Sequence, residues 1–161
     1  MFFNNNKCCD LIRDARFGIC DDVPNSPAYW DIHNHGKWIA IVNNVDSKDL
    51  HLYAIDNCLI FRDDKNNKES TCDAALKVSD DFLCFVELKE RRSQGWLAKA
   101  VSQLQNTLNI YHKLERKPAG RIECYVSNSL RPKAPQSTLN VVRGFKKDTG
   151  LVLKIDVQID V

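Results

Sequence analysis

The stretch Thr71-Cys72-Asp73-Ala74-Ala75-Leu76-Lys77-Val78-Ser79-Asp80-Asp81-Phe82-Leu83-Cys84-Phe85-Val86-Glu87-Leu88-Lys89 decides how this chain is read. Two largely apolar runs, Cys72 to Val78 and Phe82 to Lys89, flank the polar segment Ser79-Asp80-Asp81, which predicts two strands joined by a three-residue turn. With that turn Val78 faces Phe82, and counting outward puts Leu76 opposite Cys84, Ala74 opposite Val86 and Asp73 opposite Glu87. Successive side chains of a strand point to opposite faces. One face of the pair therefore carries Cys72, Ala74, Leu76 and Val78 against Leu88, Val86, Cys84 and Phe82; it is apolar throughout and belongs in the core. The other carries Thr71, Asp73, Ala75 and Lys77 against Lys89, Glu87, Phe85 and Leu83, apolar beside the turn and ionisable at the far end.

Directly opposed residues of an antiparallel pair have Cβ atoms roughly 4.5–5.5 Å apart, and like charges at that spacing destabilise the sheet. A hard divalent cation removes the repulsion. Mg²⁺, with Mn²⁺ as a substitute, takes oxygen ligands from one or two carboxylates and keeps several waters. Asp73 and Glu87 are thus candidate metal ligands. Lys89 shares the face of Glu87 and is placed to orient a water nucleophile or to stabilise charge on a phosphoryl group. The plainer alternative is a solvated strand end in which Glu87 pairs with Lys89.

The rest of the chain supplies the setting. Its 161 residues, 43% hydrophobic and 27% charged, suit a single domain over 1–161 with a core of its own. Six Gly and five Pro exclude collagen-like and disordered readings. Apolar runs such as Phe82 to Val86 fall far short of the roughly 20 residues of a spanning helix, so no membrane partner is expected. Seven cysteines without a CxxC pair argue against a disulfide framework. Asn4-Asn5-Asn6 interrupts any leader that Phe2-Phe3 could begin, and the expected location is the reducing cytoplasm.

Apolar periodicity predicts a first helix over 6–15, strands over 38–45 and 50–61 joined as a hairpin, and a long helix over 96–115. In that helix Leu97, Ala100, Val101, Leu104, Leu108, Tyr111 and Leu114 share a face. A strand over 121–127, a helix over 137–148 and a closing strand over 151–157 follow. The fold class is α/β or α+β, a central mixed sheet flanked by helices.

On these residues a resemblance can be stated. Cys72-Asp73-Ala74-Ala75, the turn, Phe85-Val86-Glu87-Leu88-Lys89, and then a helix carrying Ala100, Gln103, Leu104 and Thr107 resemble the PD-(D/E)xK nuclease superfamily. More narrowly, the chain is similar to a group of small prokaryotic proteins in which an Ile-Asp-x-Cys strand, here Ile55-Asp56-Asn57-Cys58, comes first. Arg131-Pro132-Lys133, Ser137 and Phe145-Lys146-Lys147 also resemble that group, so the likeness runs from about Leu50 to Val161. It implies a restriction-endonuclease-like core, Asp73 and Glu87 as metal carboxylates, the Leu88 carbonyl as a further ligand, Lys89 as the catalytic lysine and Gln103 as its support. Cys72 stands where a proline usually precedes the first acid, and Glu90-Arg91-Arg92 follows the lysine where many relatives have glycine.

Superfamily members often add an upstream acid. Asp56 is the candidate, with Asp10 and Asp14, at i and i+4 of the expected first helix, as rivals. Basic residues gather after the site, from Arg91, Arg92 and Lys99 through Lys113, Arg116, Lys117 and Arg121 to Arg143, Lys146 and Lys147. They suit a phosphate backbone or, equally, solvated helix faces. Arg91, Arg92 and Lys99 are the candidate nucleic-acid contacts. Asp31-Ile32-His33-Asn34-His35-Gly36 reads as a turn rather than a metal site, and Cys58, Cys72 and Cys84 as small core residues. The expected function is Mg²⁺-dependent hydrolysis of nucleic acid, DNA in view of the resemblance, with a homodimer or a complex with a partner protein as the expected assemblies. The alternatives are a non-catalytic binding or interaction module on this fold, or a nuclease subunit that needs a partner.

Overall fold

The hairpin forms in the expected register. In the computed structural model, which describes residues 1–90, 95–130 and 138–161, β6 (Ala74–Val78) pairs antiparallel with β7 (Phe82–Lys89), from Val78 opposite Phe82 to Ala74 opposite Val86. Among the described residues β7 lies at the middle of a six-stranded sheet. β1 (Cys9–Ile12) and β5 (Leu50–Ala54) precede β6 on one side, while β8 (Arg121–Asn128) and β9 (Leu153–Ile155) follow β7 on the other. The pairings from β1 to β7 are antiparallel and those from β7 to β9 parallel, so the sheet is mixed. Parallel neighbours need a crossover, and α1 (Trp96–Leu114) and α2 (Leu139–Thr149) supply the two connections.

A second sheet of four strands, β10 (Gln158–Asp160), β4 (Ala40–Asn43), β2 (Arg16–Cys20) and β3 (Tyr29–Asp31), covers the other face. Alternation along β7 divides the core between the layers. Leu83 and Phe85 pack with Ala100, Leu104, Leu108 and Tyr111 of α1 and with Phe145 of α2. Cys84, Val86 and Leu88 pack with Phe17, Ile19, Val42 and Ile159 of the second sheet. Both faces of β7 are therefore buried, as its nearly unbroken apolar run requires. The fold is mixed α/β, as expected, but the described helices share one face of the central sheet and strands cover the other. In the second sheet Gly18 lies under Trp38, whose ring occupies the space a Cβ would need.

Four local expectations are corrected. Residues 6–15 form no α-helix; a 3₁₀ turn at Asn6–Cys8 leads into the edge strand β1. Pairing of Cys9 with Tyr53 through Ile12 with Leu50 overrides the local helical periodicity. The strands over 38–45 and 50–61 do not pair with each other. β4 and β5 lie in different sheets and face each other across the core through Val42, Leu50 and Leu52. The second strand ends at Ala54, before a turn with Asn57 at φ 62°. The closing segment also splits: β9 pairs with β8 and β10 with β4, tying the two sheets together.

The fourth correction concerns the cysteines. Cys8 and Cys58 are disulfide-bonded, although Cys58 reads in the sequence as an unpaired core residue. The pairing of β1 with β5 brings together two positions 50 residues apart, and spacing alone cannot reveal that. Cys72 and Cys84 are buried thiols, as expected. No helix among the described residues is long and apolar enough to cross a membrane.

Candidate functional site

One step beyond the last paired residues of β6 and β7, Asp73 and Glu87 meet at the edge of the α1-side core. Glu87 is fully buried and Asp73 is 8% exposed. The chain departs from regular alternation here, since Cys72 packs into the same α1-side cluster as Ala75. Backbone bonds hold the segment: the Ile55 amide donates to the Asp73 carbonyl at 2.8 Å and the Asp56 amide to the Cys72 carbonyl at 3.2 Å. The Asp73 carboxylate accepts the Leu88 amide at 2.7 Å, so one acid is latched to the strand that carries the other.

Lys89 links the strand to α1. Its ammonium donates to Glu87 Oε1 at 2.5 Å and to Gln103 Oε1 at 3.0 Å. Gln103 in turn donates from Nε2 to the Thr71 carbonyl at 3.1 Å. One helical turn on, the buried Thr107 hydroxyl accepts the Cys72 amide at 2.7 Å and donates to the Gln103 carbonyl at 2.8 Å. Two residues of one helix face thus bind the carbonyl and the amide of the single Thr71–Cys72 peptide group before Asp73. Glu87 Oε2 is buried and accepts no hydrogen bond from the described residues.

The electrostatics follow from that burial. Desolvation pushes the Asp73 carboxyl up to about 7, opposed by the Leu88 amide. Glu87 is driven well above the ordinary carboxylate range, first by burial and then by the charge of Asp73, against the pull of Lys89. Two acids that resist ionisation side by side favour a positive charge between them.

They open onto a cavity of about 300 Å³. Asp73, Glu87, Leu88, Lys89 and Glu90 line it from the sheet, Lys99 and Gln103 from α1, and Asp21 and Ile39 from the second sheet. Asp73, Glu87, Leu88, Lys89, Gln103 and Lys99 are therefore brought together. Asp56 is not on the wall: Lys68 holds its Oδ1 at 2.8 Å and Asn57 its Oδ2 at 3.0 Å. Asp10 sits in the edge strand β1 and Asp14 beyond it, so their helical pairing does not exist.

Asp21 is the acid that sequence reasoning missed. It reaches the cavity mouth from the end of β2, and desolvation, then the charge of Asp56, raises its carboxyl. Its only local signal is an Asp-Asp pair after an apolar strand, which reads equally well as a surface loop.

Other expectations fall elsewhere. Arg91, Arg92, Arg131, Lys133 and Ser137 lie outside the described residues. Lys113 ends α1, and Arg121 pairs with Phe82 at the opposite end of β7 from Lys89 and binds Glu123, so neither extends a groove from the site. The 31–36 segment is a turn, with Asp31 Oδ2 accepting the His33 and Asn34 amides and the Trp38 indole.

Among the described residues no three His, Cys, Asp or Glu side chains form a ready-made metal cage. A Mg²⁺-sized ion does not require one, because it keeps waters and shares substrate phosphate oxygens. The unpartnered Glu87 oxygen beside Asp73 and the Leu88 carbonyl fits that sparse donor set. Comparison of the chain with family models, with curated proteins and with solved structures returned no match.

Proposed function

We propose that this chain is a divalent-cation-dependent phosphodiesterase that cuts nucleic acid, DNA in the first instance, on a restriction-endonuclease-like core. The observation that carries the reading is the buried Glu87 Oε2, which accepts no hydrogen bond from the described residues beside a second buried acid, while Lys89 holds Oε1 alone. A buried polar oxygen without a partner is costly, and ionising both acids there calls for positive charge beyond the one ammonium. Asp73 and Glu87 would hold Mg²⁺ or Mn²⁺ with the Leu88 carbonyl, and Asp21, on the wall of the same cavity, would add negative charge near the ion without being one of its ligands. When bound, the ion supplies Lewis acidity and neutralises charge on the phosphoryl group.

This chain's own residues do the rest. Glu87 and Gln103 fix the Lys89 ammonium, which is placed to hydrogen-bond a water or a non-bridging phosphoryl oxygen. The water oxygen bonds to phosphorus and gives up a proton to solvent, the phosphorus bond to the leaving oxygen breaks, and that oxygen takes up a proton from solvent, so one water is added across the bond. Lys99, on the same wall, offers a positive charge to a neighbouring phosphate. Cutting both strands of a duplex suits a two-fold dimer.

The test titrates Mg²⁺ or Mn²⁺ against linear, circular and single-stranded DNA and RNA, comparing wild type with Glu87→Gln and Lys89→Ala. Cutting should require the cation and fall roughly 10²- to 10³-fold in Lys89→Ala, the usual cost of removing one stabilising donor. Binding without cutting under any cation would assign a non-catalytic module. Cutting that appears only with an added protein would assign a subunit, and equal cutting by all three samples would mark a contaminant.

A further inference from the structure

The Cys8–Cys58 disulfide is joined to the candidate site by a short chain of bonds. Cys58 lies in the turn that follows β5, where the Cys58 and Leu59 amides both donate to the Ile55 carbonyl, at 3.1 and 2.8 Å. Ile55 and Asp56, in the same turn, donate their amides to Asp73 and Cys72. Asp73 then accepts the Leu88 amide. The other sulfur belongs to Cys8, which directly precedes edge strand β1 and follows the segment that buries Phe2 against Phe61, Phe85 and Tyr111. The covalent bond therefore clamps the turn that holds the backbone of the first acid.

We infer that the redox state of Cys8 and Cys58 regulates the candidate site by setting how firmly the 55–59 turn holds Asp73. The inference rests on the reading of Asp73 and Glu87 as a cation site. The switch is a two-electron exchange with a dithiol reductant. Cys58 is half-buried and Cys8 is 4% exposed, so a thiolate of the reductant attacks the Cys58 sulfur and expels the Cys8 thiolate, which is then protonated. The second thiol of the reductant resolves the mixed disulfide and frees Cys58. The protein gains two thiols, and the reductant leaves as its own disulfide. Freed from Cys8, the turn loses its covalent anchor and keeps only non-covalent ties, its backbone bonds, Lys68 on Asp56 and Asn57, and the burial of Ile55 and Leu59, so Asp73 is held less firmly opposite Glu87.

The experiment compares the oxidised chain, the same chain reduced with dithiothreitol, and Cys8→Ser/Cys58→Ser. It measures Mn²⁺ affinity by calorimetry and amide hydrogen exchange residue by residue. The expected result is a loss of Mn²⁺ affinity in both thiol-state samples, within the roughly 5- to 150-fold range of coupled sites. The Ile55, Asp56 and Leu88 amides should gain exchange by a larger factor than those in the middle of β8. Unchanged exchange at those three amides, or a gain equal to that of β8, would overturn the inference and leave the disulfide a general staple. If the oxidised chain binds no Mn²⁺ while the three amides still respond, the cation-site reading fails and the clamp on Asp73 stands. The reduced wild type decides the matter if the double serine variant does not fold.

Discussion

Asp73 shows how a single buried side chain can tie stability to pH. Its carboxyl, ordinarily near 3.8, is raised to about 7 by burial, so the folded chain holds this proton more tightly than the unfolded chain does. The contribution to stability is present in full below the unfolded value and is lost as pH rises through about 7. The cation-free chain should therefore lose on the order of 2–4 kcal/mol between pH 4 and pH 8 through this group, measured by urea denaturation. Mg²⁺ should restore most of that loss at pH 8. Asp73→Asn keeps an acceptor for the Leu88 amide and carries no charge, so it should flatten the profile and abolish the Mg²⁺ response. A wild-type profile that rises from pH 4 to pH 8 would contradict the burial argument.

At the scale of elements, the contact between α1 and the start of the β6–β7 hairpin has a simple chemical basis. Thr107 is fully buried and satisfies the Cys72 amide. Thr107→Val removes that acceptor with little change of shape and should cost about 1–3 kcal/mol, the price of a buried unsatisfied donor. Thr107→Ser keeps the hydroxyl and should recover most of the loss in thermal unfolding. Much of this level is legible in the sequence. Of the α1 stripe, Ala100, Leu104, Leu108 and Tyr111 are buried as their spacing predicts, Leu97 and Val101 are half-buried and Leu114, at the helix end, is exposed, while the hairpin register follows from the length of its turn. Residues 6–15 mislead because Cys9, Leu11 and Ile12 fit a helical stripe as well as they fit a strand. Backbone bonds to β5, remote in sequence, select the strand.

For the whole molecule, the second sheet is more than a cover for the core. It brings Asp21 to the same cavity as Asp73 and Glu87, while Asp56, nearer in sequence, is held by Lys68 and Asn57. Asp21→Asn should weaken Mn²⁺ binding by roughly 5-fold or more, within the scale of coupled groups, and more than Asp56→Asn does. Calorimetry that gives the opposite order would give that electrostatic role to Asp56.

Within the candidate site, the residues readable in advance are those set by short-range geometry. Asp73, Glu87 and Lys89 follow from a period of two along paired strands, whereas Leu88 and Gln103 enter only through the resemblance. Those rules act between neighbours in the chain, so the sequence alone determined the hairpin, the long helix and the meeting of two acids with a lysine. The tertiary structure alone decided that β4 and β5 part into separate sheets, that Cys8 reaches Cys58, and that Asp21 joins the cavity. Each of these depends on which apolar faces bury one another. Hydrophobic burial has no direction of its own, so patterning shows that a face must be covered without showing which distant segment covers it.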